Sequence, residues 1–350
     1  MKKIRYGIIG AGGIADRRMI PGMIKSEHSE IVAAMAPHPD IVKNTCEVFH
    51  IPKGYVTEEA LLADPEVDAV YIASPLVFHA DQICKAAEAG KHVFSEKPLA
   101  LNSNECQKIL SVCEKANVKL FVGFNMRFHN LHQKMRDILI KGGIGQIVSC
   151  RAQLTCWYPE MENVWRLNKK LSGGGAFMDM GLHCMDLLEY LSNSEIQQVY
   201  ALTDTMTFSY EVEDCANVMV KFSNKSVGYI DVYFNVPEHV TTCCLEFYGT
   251  KGSLIAEHTI GQNETGTLYY RKIQKDLSYS AQQELALIEP AVYASEHGDL
   301  YAKEIESFSR SILNEEPLIT PGKQGLHMAY AAEAVYQSAA LGKVISIPKD

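Results

Sequence analysis

Ile4-Arg5-Tyr6-Gly7-Ile8-Ile9-Gly10-Ala11-Gly12-Gly13-Ile14-Ala15 is the stretch on which the reading of the whole chain turns. A short apolar run rich in isoleucine, cut off at a glycine, predicts a buried parallel strand entering a tight turn. Gly10 permits that turn and Gly12 lets the backbone approach a pyrophosphate. Ala15 stands at the third small position, where a helix must lie close to the strand. Amides at the start of that helix would face phosphate oxygens, where the helix dipole favours negative charge. Without a nucleotide the same residues make an ordinary strand, turn and helix, so the rest of the chain has to decide.

Moving outward, residues 14–26 read as a helix that Pro21 ends or kinks, and 31–36 as a second strand. An acidic residue at the end of that strand usually holds the adenosine ribose. This chain has Ala36-Pro37-His38 there, with no arginine for a 2′-phosphate. His38 or Lys43 could meet a phosphate, or His38 is simply a solvated loop residue, and the choice between NAD and NADP stays open. Strands at 54–56, 69–73, 92–96 and 118–122 alternate with helices at 40–49, from Thr57, up to Gly90 and at 102–117. Such alternation predicts an α/β domain over 1–122, a doubly wound parallel sheet of six strands. Ligands of these sheets lie at the carboxyl ends of the strands, where Gly10, Ala36, Ser74 and Lys97 all fall. In Glu96-Lys97-Pro98 a lysine just past a strand end, fixed by a proline, can point at a nicotinamide. An apolar cofactor face would disfavour its ammonium and suit it to proton transfer. A surface lysine in a turn is the alternative.

From Gly123 the rhythm changes. After a helix at 129–141, long strands at 147–157, 196–208, 215–222, 227–234, 243–248, 254–256 and 267–272 are rich in β-branched and aromatic residues. Helices at 297–314 and 322–341 and a last strand at 344–347 close the chain. These predict an α+β second domain over 123–350 with a large, mostly antiparallel sheet. One face of the sheet would carry helices; the other would be open to a second subunit, giving a homo-oligomer.

Between the first two of those strands lie Trp165-Arg166 and then Gly173-Gly174-Gly175-Ala176-Phe177-Met178-Asp179-Met180-Gly181-Leu182-His183-Cys184-Met185-Asp186. Asp179, His183 and Asp186, four and three apart, share one helical face. Asp179 could hold His183 in one tautomer as a positioned acid or base. The alternatives are a buried histidine satisfied by a helical aspartate, or a metal site. No convincing partner ligands accompany it, because His129 and His132 sit on a polar stretch and read as solvated, so no metal is expected.

Composition narrows the function classes. A net charge of −9 without a basic stripe gives no support to nucleic-acid binding. No apolar run approaches a membrane span, and the N-terminus enters the first strand without a signal-peptide pattern. Ten cysteines without a C-x-x-C pair predict reduced thiols in a cytoplasm.

Taken together, Gly-Ala-Gly-Gly-Ile-Ala at 10–15, Ser74-Pro75 with His79, Glu96-Lys97-Pro98, Arg127-Phe128 and Gly173 through Asp186 resemble the glucose–fructose oxidoreductase, inositol dehydrogenase and rhizopine-catabolism (Gfo/Idh/MocA) family over essentially the whole chain. The resemblance implies a nicotinamide-dependent dehydrogenase or reductase acting on a sugar, cyclitol or similar polyol. It implies that Lys97, Asp179 and His183 line the site as catalytic residues, with Asp186 nearby. Asn125, Arg127, Tyr158, Trp165 and Arg166 are further candidates for substrate contacts. Candidate cofactor contacts are Gly10, Gly12, Gly13, Ile14, Ala36, His38, Ser74, Pro75, His79, Glu96 and Lys97. In the proposed division of labour His183, oriented by Asp179, handles the proton and Lys97 polarises the oxygen, or the two exchange roles. A non-catalytic dinucleotide or sugar sensor, and a redox-assisted glycosidase with retained cofactor, are the alternatives.

Overall fold

β1 (Ile4–Ile9) forms on the isoleucine run and is buried along its length apart from a half-exposed Arg5. The computed structural model containing it describes residues 2–273, 279, 288–295 and 298–348. Met1 and residue 297, where the sequence reading starts a helix, lie outside the described residues. β1 is followed by α1 (Ile20–Lys25), β2 (Ser29–Met35), α2 (Pro39–Phe49), β3 (Lys53–Tyr55), α3 (Glu58–Leu62), β4 (Ala69–Ile72), α4 (His79–Glu88), β5 (His92–Glu96), α5 (Ser103–Lys115) and β6 (Leu120–Gly123). The six strands are parallel in the order β3-β2-β1-β4-β5-β6. The order reverses between β1 and β4, which opens a crevice at their carboxyl ends.

Pro21 neither ends nor visibly breaks its helix. A wide π-helical turn over Ala15–Met19 comes first and places Pro21 in the first turn of α1, where a missing amide hydrogen is tolerated.

The second half runs α6 (Asn130–Ile140), β7 (Ile147–Thr155), α7 (Lys169–Ser172), a second π-helical turn (Phe177–Gly181), α8 (Leu182–Ser192), β8 (Ile196–Asp204), β9 (Cys215–Phe222) and β10 (Val227–Tyr233). Then come β11 (Leu245–Gly249), β12 (Gly252–Glu257), β13 (Gly266–Lys272), β14 (Ala291–Ser295), α9 (Leu300–Ile312), α10 (Gly322–Leu341) and β15 (Ile345–Ser346). Among the described residues these strands form a sheet in the order β14-β13-β12-β11-β7-β10-β9-β8-β15. All its pairings are antiparallel except β7 with β10. β14 was not foreseen: a five-residue edge strand that buries only Ser295 shows no apolar alternation.

The two sheets are not independent. One apolar core runs from Ile9, Val70 and Val122 of the first through Leu187 and Leu188 of α8 and Val335 of α10 to Val218 and Phe247 of the second. α9 packs on α1, and α10 packs on α5 and β6 as well as β8, so the last helices return to the first sheet.

Candidate active site

The glycine turn has the conformation its residues permit. Gly10 has φ +92°, and a Cβ there would stand 2.7 Å from the Ser74 amide nitrogen, so only glycine lets β1 and the turn after β4 meet. The amides of Gly10 and Ala11 donate to the Met35 carbonyl at 3.0 and 2.9 Å. Gly12 donates to the Asp16 carboxylate at 2.8 Å, whose second oxygen accepts the Thr45 hydroxyl at 2.7 Å. Asp16 therefore ties the turn to α2, a role the sequence reading missed; its signal is an acid four residues after Gly12, one helical turn on. No protein acceptor takes the amides of Gly13 and Ile14 among the described residues, and the space beside the Gly13 Cα is open. Two unpaired amides at a helix start fit a pyrophosphate. At the adenosine end, Ala36 is buried and His38 is an exposed residue at the start of α2 that caps nothing.

His79 is engaged inside the protein. It is buried, with Nε2 2.9 Å from the Ser74 carbonyl and Nδ1 3.0 Å from the Pro98 carbonyl. It braces the loop after β4 against the loop after β5, and burial lowers its pKa toward the neutral ring. Ser74 lies in the loop so braced, its hydroxyl bonded to Gln82; Pro75 precedes a short 3-10 turn, Leu76–Phe78.

Lys97 follows β5 directly, and its side chain is only 10% exposed. The apolar surroundings expected for it are absent: its Nζ donates to the Asp179 carboxylate at 3.0 Å and to the Asp179 backbone carbonyl at 2.6 Å. Arg166 approaches the same carboxylate oxygen at 3.7 Å, lies over the Trp165 ring at 4.5 Å and donates to the Tyr158 hydroxyl. Burial alone would push the Asp179 carboxyl up; the Lys97 and Arg166 cations outweigh it and hold the group far below the usual carboxylate range. Tyr158 stacks on Phe234 with ring centroids 5.0 Å apart, which fixes its ring.

Asp179 therefore does not orient His183: its Oδ1 faces Lys97 and Arg166, and no hydrogen bond joins it to the ring among the described residues. The His183 Nδ1 is buried without a partner, and no protein group bonds its Nε2 among the described residues. The ring meets the edge of Phe124 at 6.2 Å. Burial first, then the Lys97 charge, drive its pKa well below the ordinary histidine value, against the pull of Asp179. The neutral imidazole keeps an open nitrogen that can accept a hydrogen bond, and the Asp179 charge is the group there that favours a proton on the ring.

Two of the expected substrate contacts are turned inward instead. Arg127 forks onto Asp186, Nε to Oδ2 at 2.8 Å, and donates to the Ile319 carbonyl at 3.1 Å; their side chains are 8% and 2% exposed. Each satisfies the other, so neither reaches a substrate. Asn125 is buried in the short turn after β6, with no protein partner for its amide among the described residues. The solvated reading of His129 and His132 also fails. Both are fully buried and 4.7 Å apart, bonded to the Thr265 carbonyl, the Leu131 amide, the Met126 carbonyl and the Thr259 hydroxyl. Burial takes their pKa values down to about 4 and about 3. Among the described residues no three His, Cys, Asp or Glu side chains are grouped to hold a metal.

Comparison with known proteins places this geometry. Residues 4–124 match the oxidoreductase family with an NAD-binding Rossmann fold, and residues 132–255 the GFO/IDH/MocA C-terminal domain. The chain belongs to the Gfo/Idh/MocA oxidoreductases. An uncharacterized oxidoreductase, YrbE, of Bacillus subtilis is 30% identical over 99% of this chain and 97% of its own length. A 1,5-anhydro-D-fructose reductase of Ensifer adhaerens is 28% identical over 98% of each chain. Among solved structures, an aldose-aldose oxidoreductase from Caulobacter crescentus complexed with glycerol superposes with a TM-score of 0.86 at 25% identity, covering 99% of this chain and 100% of its own. As a member of the Gfo/Idh/MocA family, this chain is a nicotinamide-dependent oxidoreductase.

Proposed function

We propose that the protein moves a hydride between NAD or NADP and a secondary alcohol or carbonyl of a sugar, cyclitol or related polyol. In this reading residues 1–122 hold the dinucleotide, and 123–350 hold the substrate and a second copy of the chain. The observation that carries the reading is the meeting of Lys97, from the end of β5, with Asp179 beside His183, from the helix between β7 and β8. The names of the relatives, a sugar reductase and an aldose oxidoreductase with bound glycerol, support a polyhydroxylated substrate.

The bound nicotinamide supplies the hydride chemistry. The chain's own residues orient one carbinol and move one proton. Gly10 and Gly12 shape the phosphate turn, while Gly13 and Ile14 offer their amides. Lys97 and Arg166 are two cations around the one Asp179 carboxylate, so they retain donors for a substrate oxygen. Lys97 polarises the reacting oxygen, and the neutral His183 accepts its proton through the open ring nitrogen. Tyr158 and Trp165 present rings against which the C–H face of a sugar can lie.

The outer face of the second sheet supports self-association. Val148, Leu202, Met219, Tyr229 and Tyr248 are 53, 59, 50, 44 and 42% exposed around the Arg151–Asp231 pair, which is bonded at 2.8 and 2.9 Å. Light scattering at the mass of a single chain contradicts that part. A cytoplasmic location is supported by ten cysteines that all remain free thiols.

The deciding experiment incubates the protein with NAD and NADP and a panel of sugars and cyclitols, following the absorbance of the reduced nicotinamide. Hydride transfer with a polyol is expected. Tight dinucleotide binding without transfer to any of them would make the protein a sensor. Release of a free aglycone without net cofactor reduction would make it a redox-assisted glycosidase.

A further inference from the structure

Behind the Lys97 turn lies a carboxyl that the proposed chemistry leaves unused. Glu304, in the second turn of α9, is 0% exposed, and neither of its oxygens has a hydrogen-bond partner among the described residues. An apolar side chain would fill that place at far lower cost, and an ionised carboxylate there would have no compensation at all.

The charged and titratable groups facing it come from several elements. Glu96 at the end of β5 and Asp186 of α8 act on it with like charge, and Tyr71 of β4 and Tyr301 of α9 stand beside it. Arg127, from the turn after β6, is held by Asp186. Lys97 and Arg166 act on Glu96, and Arg18 acts on Tyr301; among the described residues no cation is aimed at Glu304.

Burial pushes the Glu96 carboxyl up too, but Glu96 has partners that oppose the rise. It accepts the Tyr71 hydroxyl at 2.6 Å and the Lys97 amide, and its Oε2 lies 3.1 Å from where a Cβ on Gly123 would stand, so the missing side chain of Gly123 makes its seat. Two buried carboxyls that repel each other do not ionise equally easily, and the one with hydrogen-bond partners holds its charge better. Burial, then the charges of Glu96 and Asp186, push the Glu304 carboxyl well above its ordinary range.

We propose that Glu304 is a positioning residue for the catalytic turn: it stays uncharged so that Glu96 is the single anion behind Lys97. Charge forced onto Glu304 repels Glu96, whose backbone leads directly into Lys97, and loosens the contact of Lys97 with Asp179. This rests on the reading of Lys97 as a reacting group.

The test compares wild type with Glu304→Gln, which has the same shape and cannot ionise. Turnover is followed from pH 6 to 10, and thermal unfolding from pH 4 to 10 without substrate. The alkaline fall in turnover is expected to move up by at least one pH unit in the variant. A carboxyl whose native pKa is raised contributes stability only below its unfolded value of about 4.3 and loses it as pH rises toward the native value. The Tm advantage of Glu304→Gln should therefore widen with pH. Coincident alkaline limbs in two active proteins overturn the proposal, as do parallel Tm curves. Absence of turnover in both proteins breaks the functional reading instead, and the unfolding curves then decide the case of Glu304.

Discussion

Asp179 and Asp186 ride on one helical run, seven residues apart, and each faces a cation brought from the first sheet or the turn that leaves it. Their environments make them opposites. Asp186 and Arg127 match one to one, fork to carboxylate, with side chains 2% and 8% exposed. Asp179 has two cations, Lys97 and Arg166, and keeps 31% of its side chain open, as Arg166 keeps 37%. A closed, balanced pair has no capacity left for a ligand; an open pair with an excess cation does. Residue type alone does not separate framework from site here; the count of spare donors does.

The largest expected effect breaks the closed pair. Asp186→Ala leaves the Arg127 guanidinium buried and unpaired, and unfolding in urea should show a loss of about 3–5 kcal/mol. Replacing both residues by Met and Leu should recover much of it, since apolar side chains can substitute for a buried ion pair. Asp179→Asn should lower stability by no more than ~1 kcal/mol, because the pair it breaks is partly solvated. Its turnover should nevertheless fall by at least tenfold as Lys97 loses its ionic partner, and the same two assays distinguish the aspartates. A stability loss in Asp179→Asn as large as that of Asp186→Ala would erase the contrast.

A smaller effect concerns acid. His129 and His132 have native pKa values of about 4 and about 3, below the unfolded value of about 6.5. The native state refuses protons that the unfolded chain accepts. Stability is therefore complete above pH ~6.5 and falls as pH drops, by at most ~1.4 kcal/mol per pH unit for each ring. Urea midpoints at pH 7 and pH 5 measure it, and His132→Gln should flatten the dependence. Equal slopes in the two proteins would put the acid sensitivity elsewhere.

What the sequence disclosed follows the same division. The glycine turn and the six-strand alternation are legible, because motif spacing and period carry them; that Lys97 and Asp179 line one site rests on the family resemblance alone, since 82 residues separate them. The Arg127–Asp186 pair was hidden, because partners 59 residues apart are joined only by the fold. His129 and His132 sit among polar neighbours in sequence yet are covered by the loop carrying Thr259 and Thr265, 127 and 136 residues away. The link from Asp179 to His183 failed because helical spacing brings two residues to one face without saying which competitor arrives from elsewhere. The π-helical turn that carries Asp179 also departs from the 3.6-residue period on which that inference rested.

The most direct test of the open site is turnover of Lys97→Ala and His183→Ala with a competent polyol, alongside NAD(P)H affinity measured by fluorescence titration. Each variant should lose at least tenfold in turnover while its cofactor Kd stays within about twofold of wild type, as expected for groups that act on the carbinol. Wild-type turnover in both variants would contradict the assignment of proton handling to this pair.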